Sequence, residues 1–241
     1  MRTIQKKHLF FPLAFQGKSG YTDLKGTENM VQIAPSLLSA DFARLGTEVK
    51  KITAAGADML HLDIMDGHFV PNLTFGPDVV RCIRKYTPIP FDVHLMMTNP
   101  LDFVAPFARA GADMITVHVE SDDNLETVLS VIKKNGCRAG LSLRPATNIN
   151  RVLPFLPMID LVLVMSVEPG FGGQAFQKTA LAKMAALRDL IGRKPVKIAV
   201  DGGVNEITAP ACRLAGADIL IAGSAIFRHK NYADAIERLK R

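Results

Sequence analysis

One four-residue sequence recurs three times in this chain. Ala-Gly-Ala-Asp stands at 55–58, 110–113 and 215–218, and each copy leads straight into an apolar run. The glycine is where a helix can end in a left-handed conformation, with a strand beginning just after it. The copies are separated by 55 and 105 residues, close to two and four strand-helix units. A chain organised this way must bury repeated strands beneath repeated helices, which points to a parallel α/β architecture.

Aliphatic and β-branched runs predict strands over 32–38, 58–65, 90–96, 113–119, 137–143, 159–165, 195–201 and 218–222. Helical periods lie between them. Phe42, Leu45, Val49 and Ile52 share one face of the first, which Ser39 or Asp41 would cap. Phe176, Leu181, Met184, Leu187 and Ile191 mark another. Eight strands alternating with eight helices in about 210 residues predict a single (β/α)8 TIM barrel over 30–241, rather than a doubly wound open sheet.

Residues 1–29 read differently, as an N-terminal extension: a short apolar stretch from Leu9 to Phe15, then a Gly/Ser/Lys/Thr-rich segment. The apolar stretch is too short for a secretory signal. The absence of acidic residues before Asp23 would suit an organellar transit peptide, but the preferred expectation is a flexible extension or a start placed too early, since Met30 directly precedes the first strand.

Composition narrows the function. Apolar residues at 48% and charged residues at 22% exclude a mostly disordered chain. No apolar run reaches bilayer length, so no membrane span is expected. Cys82, Cys137 and Cys212 lie far apart without a C-x-x-C pair, which argues against a disulfide framework or zinc knot and for a reducing, cytoplasmic setting. Lys and Arg total 29 against 23 Asp and Glu, and the extension carries half of that +6. The remainder suits an anionic metabolite, and no aromatic-basic motif points to nucleic acid.

In a closed barrel the reacting groups belong at the C-terminal strand ends. The period of two along the second strand puts His61, Asp63 and Met65 on one face and Leu60, Leu62 and Ile64 on the other. The aliphatic set belongs under the helices, so His61 and Asp63 point inward. The same argument turns His94 inward, and the seventh strand ends in Asp201-Gly202-Gly203. Two imidazoles and two carboxylates at one mouth form a candidate site for Zn²⁺, Fe²⁺, Mn²⁺ or Co²⁺. Any one of them alone would read as a hydrogen-bonded core residue.

Three glycine-rich turns follow the sixth, seventh and eighth strands: Gly170-Phe171-Gly172-Gly173, Gly202-Gly203 and Gly223-Ser224. Glycines let backbone N–H groups approach an oxyanion, a helix starting at Ser224 would direct its positive end there, and this is the usual phosphate position of such barrels. Met65 and Met96 are candidates for an apolar wall around the reacting carbons, with Met165 nearby; Met97 reads as core filling. Ser36, at the end of the first strand, is a candidate hydrogen-bond partner for a substrate oxygen. A divalent metal, two carboxylates and a phosphate grip point to proton abstraction beside a carbonyl, with the proton returned on the far face.

At these residues the chain resembles the ribulose-phosphate 3-epimerase family. The resemblance rests on Pro35 to Asp41, His61 to Asn72, Asp92 to Met96, Met165 to Gln174, Val200 to Val204 and Ala222 to Phe227, in order, from about Val31 onward. It implies interconversion of D-ribulose 5-phosphate and D-xylulose 5-phosphate in the pentose phosphate pathway, with Zn²⁺ or Fe²⁺ as the common metal. Carried over, His61, Asp63, His94 and Asp201 would be metal ligands, Asp63 the proton acceptor and Asp201 the donor. Ser36, His61, His94, Met65, Met96, Met165, Asp201 and the three glycine turns would contact substrate. A homo-oligomer is expected, with a sugar phosphate as the small-molecule partner.

Two features depart from the family pattern: the extension, and Arg144 where the family more often has Asn, expected here to be a peripheral loop residue. Three rival readings stay open at this point. One is a sister epimerase acting on allulose 6-phosphate. Another is a barrel lyase or decarboxylase, though no strand-end Lys accompanies Asp63. The third is a non-catalytic phosphate-binding barrel.

Overall fold

A computed structural model describes residues 31–241; the predicted extension and Met30 lie outside the described residues. Eight parallel strands form one sheet: β1 (Gln32–Pro35), β2 (Leu60–Met65), β3 (Phe91–Met96), β4 (Met114–His118), β5 (Arg138–Leu143), β6 (Leu161–Met165), β7 (Lys197–Asp201) and β8 (Ile219–Ala222). Their order is β1-β8-β7-β6-β5-β4-β3-β2, and a bridge between Ser36 and His61 joins the two ends. The expected TIM barrel is the fold.

Alternation along each strand sorts the side chains into two cores. Leu60, Leu62 and Ile64 join the layer beneath the helices, with Val80, Ile83, Val104 and Phe107. Each fully buried aliphatic contributes about 1.5–3 kcal/mol. The lower interior is filled by a second set that includes Ala34, Met59, Met114, Leu161, Leu163, Ala199, Ile219 and Ile221. Met97 packs in the helix-facing core, as expected.

The helices are α1 (Leu45–Ala54), α2 (Pro77–Arg84), α3 (Leu101–Ala110), α4 (Leu125–Lys134), α5 (Thr179–Ile191), α6 (Ala209–Leu214), α7 (Ser224–Phe227) and α8 (Tyr232–Lys240). Their placement corrects the predicted alternation in one place and the predicted bounds of elements in three others. No α-helix joins β5 to β6; two 3₁₀ segments, Ile149–Arg151 and Leu153–Met158, do so, because Pro154 and Pro157 lack the N–H groups a continuous helix needs. The first strand stops at Pro35, since the Ser36 side chain accepts from Leu38 N–H and turns the chain into a 3₁₀ segment. Asp41 caps a further 3₁₀ turn before α1, leaving Phe42 exposed against Phe75 rather than buried with Val49 and Ile52. Phe176 likewise precedes α5 instead of lying on it.

The repeated tetrapeptide has a structural purpose at the N-terminal end of the barrel. Gly56, Gly111 and Gly216 all have left-handed φ, at 86°, 108° and 94°. The Asp that follows each glycine accepts from a backbone N–H of the strand before: Asp58 from Ile33 at 2.8 Å, Asp113 from Phe91 at 2.8 Å and Asp218 from Ile198 at 2.7 Å. Asp160 does the same for Ala139 at 2.8 Å, without the Ala-Gly-Ala prefix. The barrel therefore closes as four two-strand quarters, each pinned by one carboxylate. Lys240, Arg84 and Arg188 pair with Asp58, Asp113 and Asp218.

Candidate active site

At the opposite end, the strand termini enclose a cavity of about 390 Å³. Ser36, Asp63, Met65, Met96, Met165, Gly170, Phe171, Gly172, Gly173, Asp201, Gly202, Gly203, Gly223 and Ser224 line it, so all but two of the predicted site residues reach it directly. The two exceptions, His61 and His94, are fully buried beneath its floor.

One donor atom each from His61, Asp63, His94 and Asp201 lies within 4.8 Å of the others. Asp63 is the hub. Its Oδ2 accepts from Ser36 Oγ at 2.6 Å, and its Oδ1 sits 3.4 Å from His61 Nε2 and 3.5 Å from His94 Nδ1. Strand register brings these groups level, with Asp63 opposite His94 on β3. Among the described residues, His61 Nε2 and His94 Nδ1 are buried ring nitrogens without a hydrogen-bond partner. Two orphaned imidazole nitrogens facing two carboxylates fit a divalent cation, since burying such groups unsatisfied is costly.

Electrostatics separates the two acids. Burial opposes charge on Asp63, but the neighbouring His61 and His94 hold its carboxyl well below the usual range. Burial, and then the charge of Asp63, push Asp201 up to about 7. Burial alone would lower His61, yet Asp63 and Asp92 raise it well above the ordinary imidazole value. Burial lowers His94. One carboxylate is thus poised to accept a proton while the other can carry one.

The glycine turns are shaped by close approach. A Cβ on Gly203, at φ 64°, would sit 2.6 Å from Phe176 N, and one on Gly223 would sit 2.5 Å from Ser39 Oγ. Asn72 Nδ2 donates to Gly170 O at 2.7 Å, tying the loop after β2 to the loop after β6. The predicted helix at Ser224 is α7, only four residues long.

The sequence reading missed a tier of supporting residues. Asp92 Oδ2 lies 2.9 Å from His61 Nδ1, and Thr116 Oγ1 donates to Asp92 Oδ1 at 2.8 Å. His118 Nε2 lies 2.9 Å from His94 Nε2, and its Nδ1 lies 3.0 Å from Glu120 Oε2. The parity that turns His94 inward also turns Asp92, Thr116 and His118 inward, so that signal was present. Arg228 was missed too; among the described residues it is the one Lys or Arg lining the cavity.

Arg144 is outside the cavity lining but is not idle. Its Nη2 donates to Phe69 O at 2.9 Å and its guanidinium lies 4.3 Å from the Phe69 ring centre, bracing the loop after β2. The sequence expectation of a peripheral loop residue understates that role.

Comparison with known proteins gives this geometry a family. The model of the ribulose-phosphate 3 epimerase family matches residues 32–227. The ribulose-phosphate 3-epimerase of Bacillus subtilis (strain 168) is 45% identical over 214 residues, covering 88% of this chain and 99% of that protein. The enzyme of the same name from Escherichia coli (strain K12) is 46% identical over 212 residues, covering 86% and 94%. Among solved structures, a 3-hexulose-6-phosphate synthase from Salmonella typhimurium aligns at TM-score 0.68 with 18% identity, covering 87% of this chain and 96% of that one. That likeness is one of fold.

Proposed function

The chain belongs to the ribulose-phosphate 3-epimerase family of isomerases, and from the geometry of its site we propose that it interconverts D-ribulose 5-phosphate and D-xylulose 5-phosphate by a two-base transfer at C3. The observation that carries this reading is the placement of Asp63 and Asp201, on β2 and β7, around one buried donor cluster. Asp63, held ionised, removes the C3 proton. Asp201, raised to about 7, delivers a proton to the opposite face of the planar enediolate, which inverts the carbon. In the reverse direction the two exchange roles.

His61, Asp63, His94 and Asp201 would hold a divalent cation, with Zn²⁺ or Fe²⁺ favoured by the two imidazoles. Such an ion, when bound, supplies charge stabilisation to the developing enediolate oxygens. Ser36 fixes Asp63 and is within reach of a substrate oxygen in the same cavity. Met65, Met96 and Met165 exclude water from the reacting carbons. The turns at Gly170 to Gly173, Gly202-Gly203 and Gly223-Ser224 offer backbone N–H groups to the phosphate, and Arg228 adds a full positive charge at that end.

Comparing kcat/KM on D-ribulose 5-phosphate and allulose 6-phosphate tests the reading. Preference for the pentulose is expected, with turnover lost on chelation and restored by added metal. Preference for the hexulose, or turnover indifferent to chelation, would contradict it.

A further inference from the structure

β4 contributes no residue to the four-residue donor cluster, yet it places Thr116 behind Asp92, the partner of His61, and His118 directly behind His94. A histidine can present only one lone pair when neutral, and which nitrogen presents it depends on what the other nitrogen meets. For His61 the answer is local, because the Asp92 carboxylate accepts from Nδ1–H and so makes Nε2 the nitrogen turned toward Asp63, free to serve as a ligand once its own proton is given up.

For His94 the answer is relayed through a second ring. Glu120 offers His118 Nδ1 a carboxylate oxygen at 3.0 Å, and a carboxylate only accepts, so the proton of His118 sits on Nδ1. The second oxygen of Glu120 accepts from Arg144 N–H at 3.0 Å, which holds the carboxylate in place. A fully buried His118 carrying a second proton would be a costly charge, so its Nε2 is an acceptor. The 2.9 Å contact between the two Nε2 atoms then requires the proton to be on His94. The two ring planes lie within 25° of each other and meet edge to edge through these nitrogens, so a flip of the His94 ring would lose that contact.

We propose that Glu120 and His118 are positioning residues that lock His94 in the Nε2–H tautomer, with its Nδ1 lone pair aimed at the cluster formed with His61, Asp63 and Asp201. The inference rests on the metal reading of that cluster only for its consequence; the tautomer itself belongs to the metal-free protein. Partners of this kind commonly change metal affinity by 10- to 100-fold when removed.

Long-range ¹H–¹⁵N correlation spectra of the ¹⁵N-labelled, metal-free full chain test it. His94 should show a protonated Nε2 and a bare Nδ1, and His118 the opposite pattern. Glu120→Gln and His118→Phe should each mix the His94 tautomers and weaken Zn²⁺ binding in equilibrium dialysis by roughly 10- to 100-fold. A merely structural role would lower thermal stability without moving the His94 pattern. If His118→Phe does not fold, Glu120→Gln decides alone. A bare Nε2 on His94 in the unmodified protein, or a His94 pattern unaltered by the variants that fold, overturns the proposal. Failure of the unmodified protein to bind Zn²⁺ would strike the metal reading instead, leaving the spectra to judge the relay.

Discussion

Ser36 Oγ donates to Asp63 Oδ2 at 2.6 Å, so the residue just past β1 holds one oxygen of the carboxylate while the other faces the imidazoles of β2 and β3. A hydrogen bond to a charged group is worth about 1.5–3 kcal/mol. Ser36→Ala should therefore reduce kcat/KM by roughly 10- to 100-fold, measured in steady-state assays with metal content held equal. An unchanged value would remove Ser36 from the account.

Metal binding should release protons. Without a cation, burial and the charge of Asp63 push Asp201 up to about 7, and Asp63 and Asp92 overcome burial to raise His61 well above its ordinary value. Both must give up protons to act as ligands, so affinity rises with pH and falls as acid competes. Each proton displaced makes the apparent affinity change by about tenfold per pH unit below the group's own value. Zn²⁺ titrations in lightly buffered indicator solution should show proton release, and affinity independent of pH would contradict the ligand set.

Arg228 is exposed, so the contribution to phosphate binding proposed for it would be screened by solvent and salt. Arg228→Gln should raise KM by about fivefold with little change in kcat, and the difference should shrink at high ionic strength. A fall in kcat with KM unchanged would place this residue elsewhere in the cycle.

The carboxylates at the closed end of the barrel serve stability rather than chemistry. Asp113→Ala leaves the Phe91 N–H without its side-chain acceptor and Arg84 without its carboxylate partner, though Arg84 keeps its bonds to the carbonyls of Gly111, Thr87 and Ile89. The loss should be about 1–3 kcal/mol, read from the urea midpoint. Activity at a temperature where the variant is folded should be unaffected.

How much of this was visible in the sequence depended on whether a feature was periodic or relational. The inward turn of His61, Asp63 and His94 follows from alternation within one strand, which needs no knowledge of neighbours. The relay behind His94 depends on strand register, which puts His94 opposite Thr116 and within reach of His118 on β4. No single strand encodes that. Three of the four quarter-barrel carboxylates carried the tetrapeptide, but Asp160 follows a proline-broken 3₁₀ segment and so lacks it. Phe42 was misplaced because helical periodicity was extended back through a turn that Asp41 caps. Arg228 stands just past α7, outside the glycine turns from which the sequence predicts a phosphate site.

Asp63 and Asp201 are expected to act as separate bases on opposite faces of one intermediate. Turnover of D-ribulose 5-phosphate in D₂O, followed by NMR at C3, tests this most directly for the unmodified chain and for Asp63→Asn and Asp201→Asn. The unmodified chain should place solvent deuterium at C3 of the product, and each variant should lose epimerisation by roughly 10²- to 10⁴-fold. Product that retains its original C3 hydrogen throughout, or either variant turning over at the unmodified rate, would contradict the two-base account.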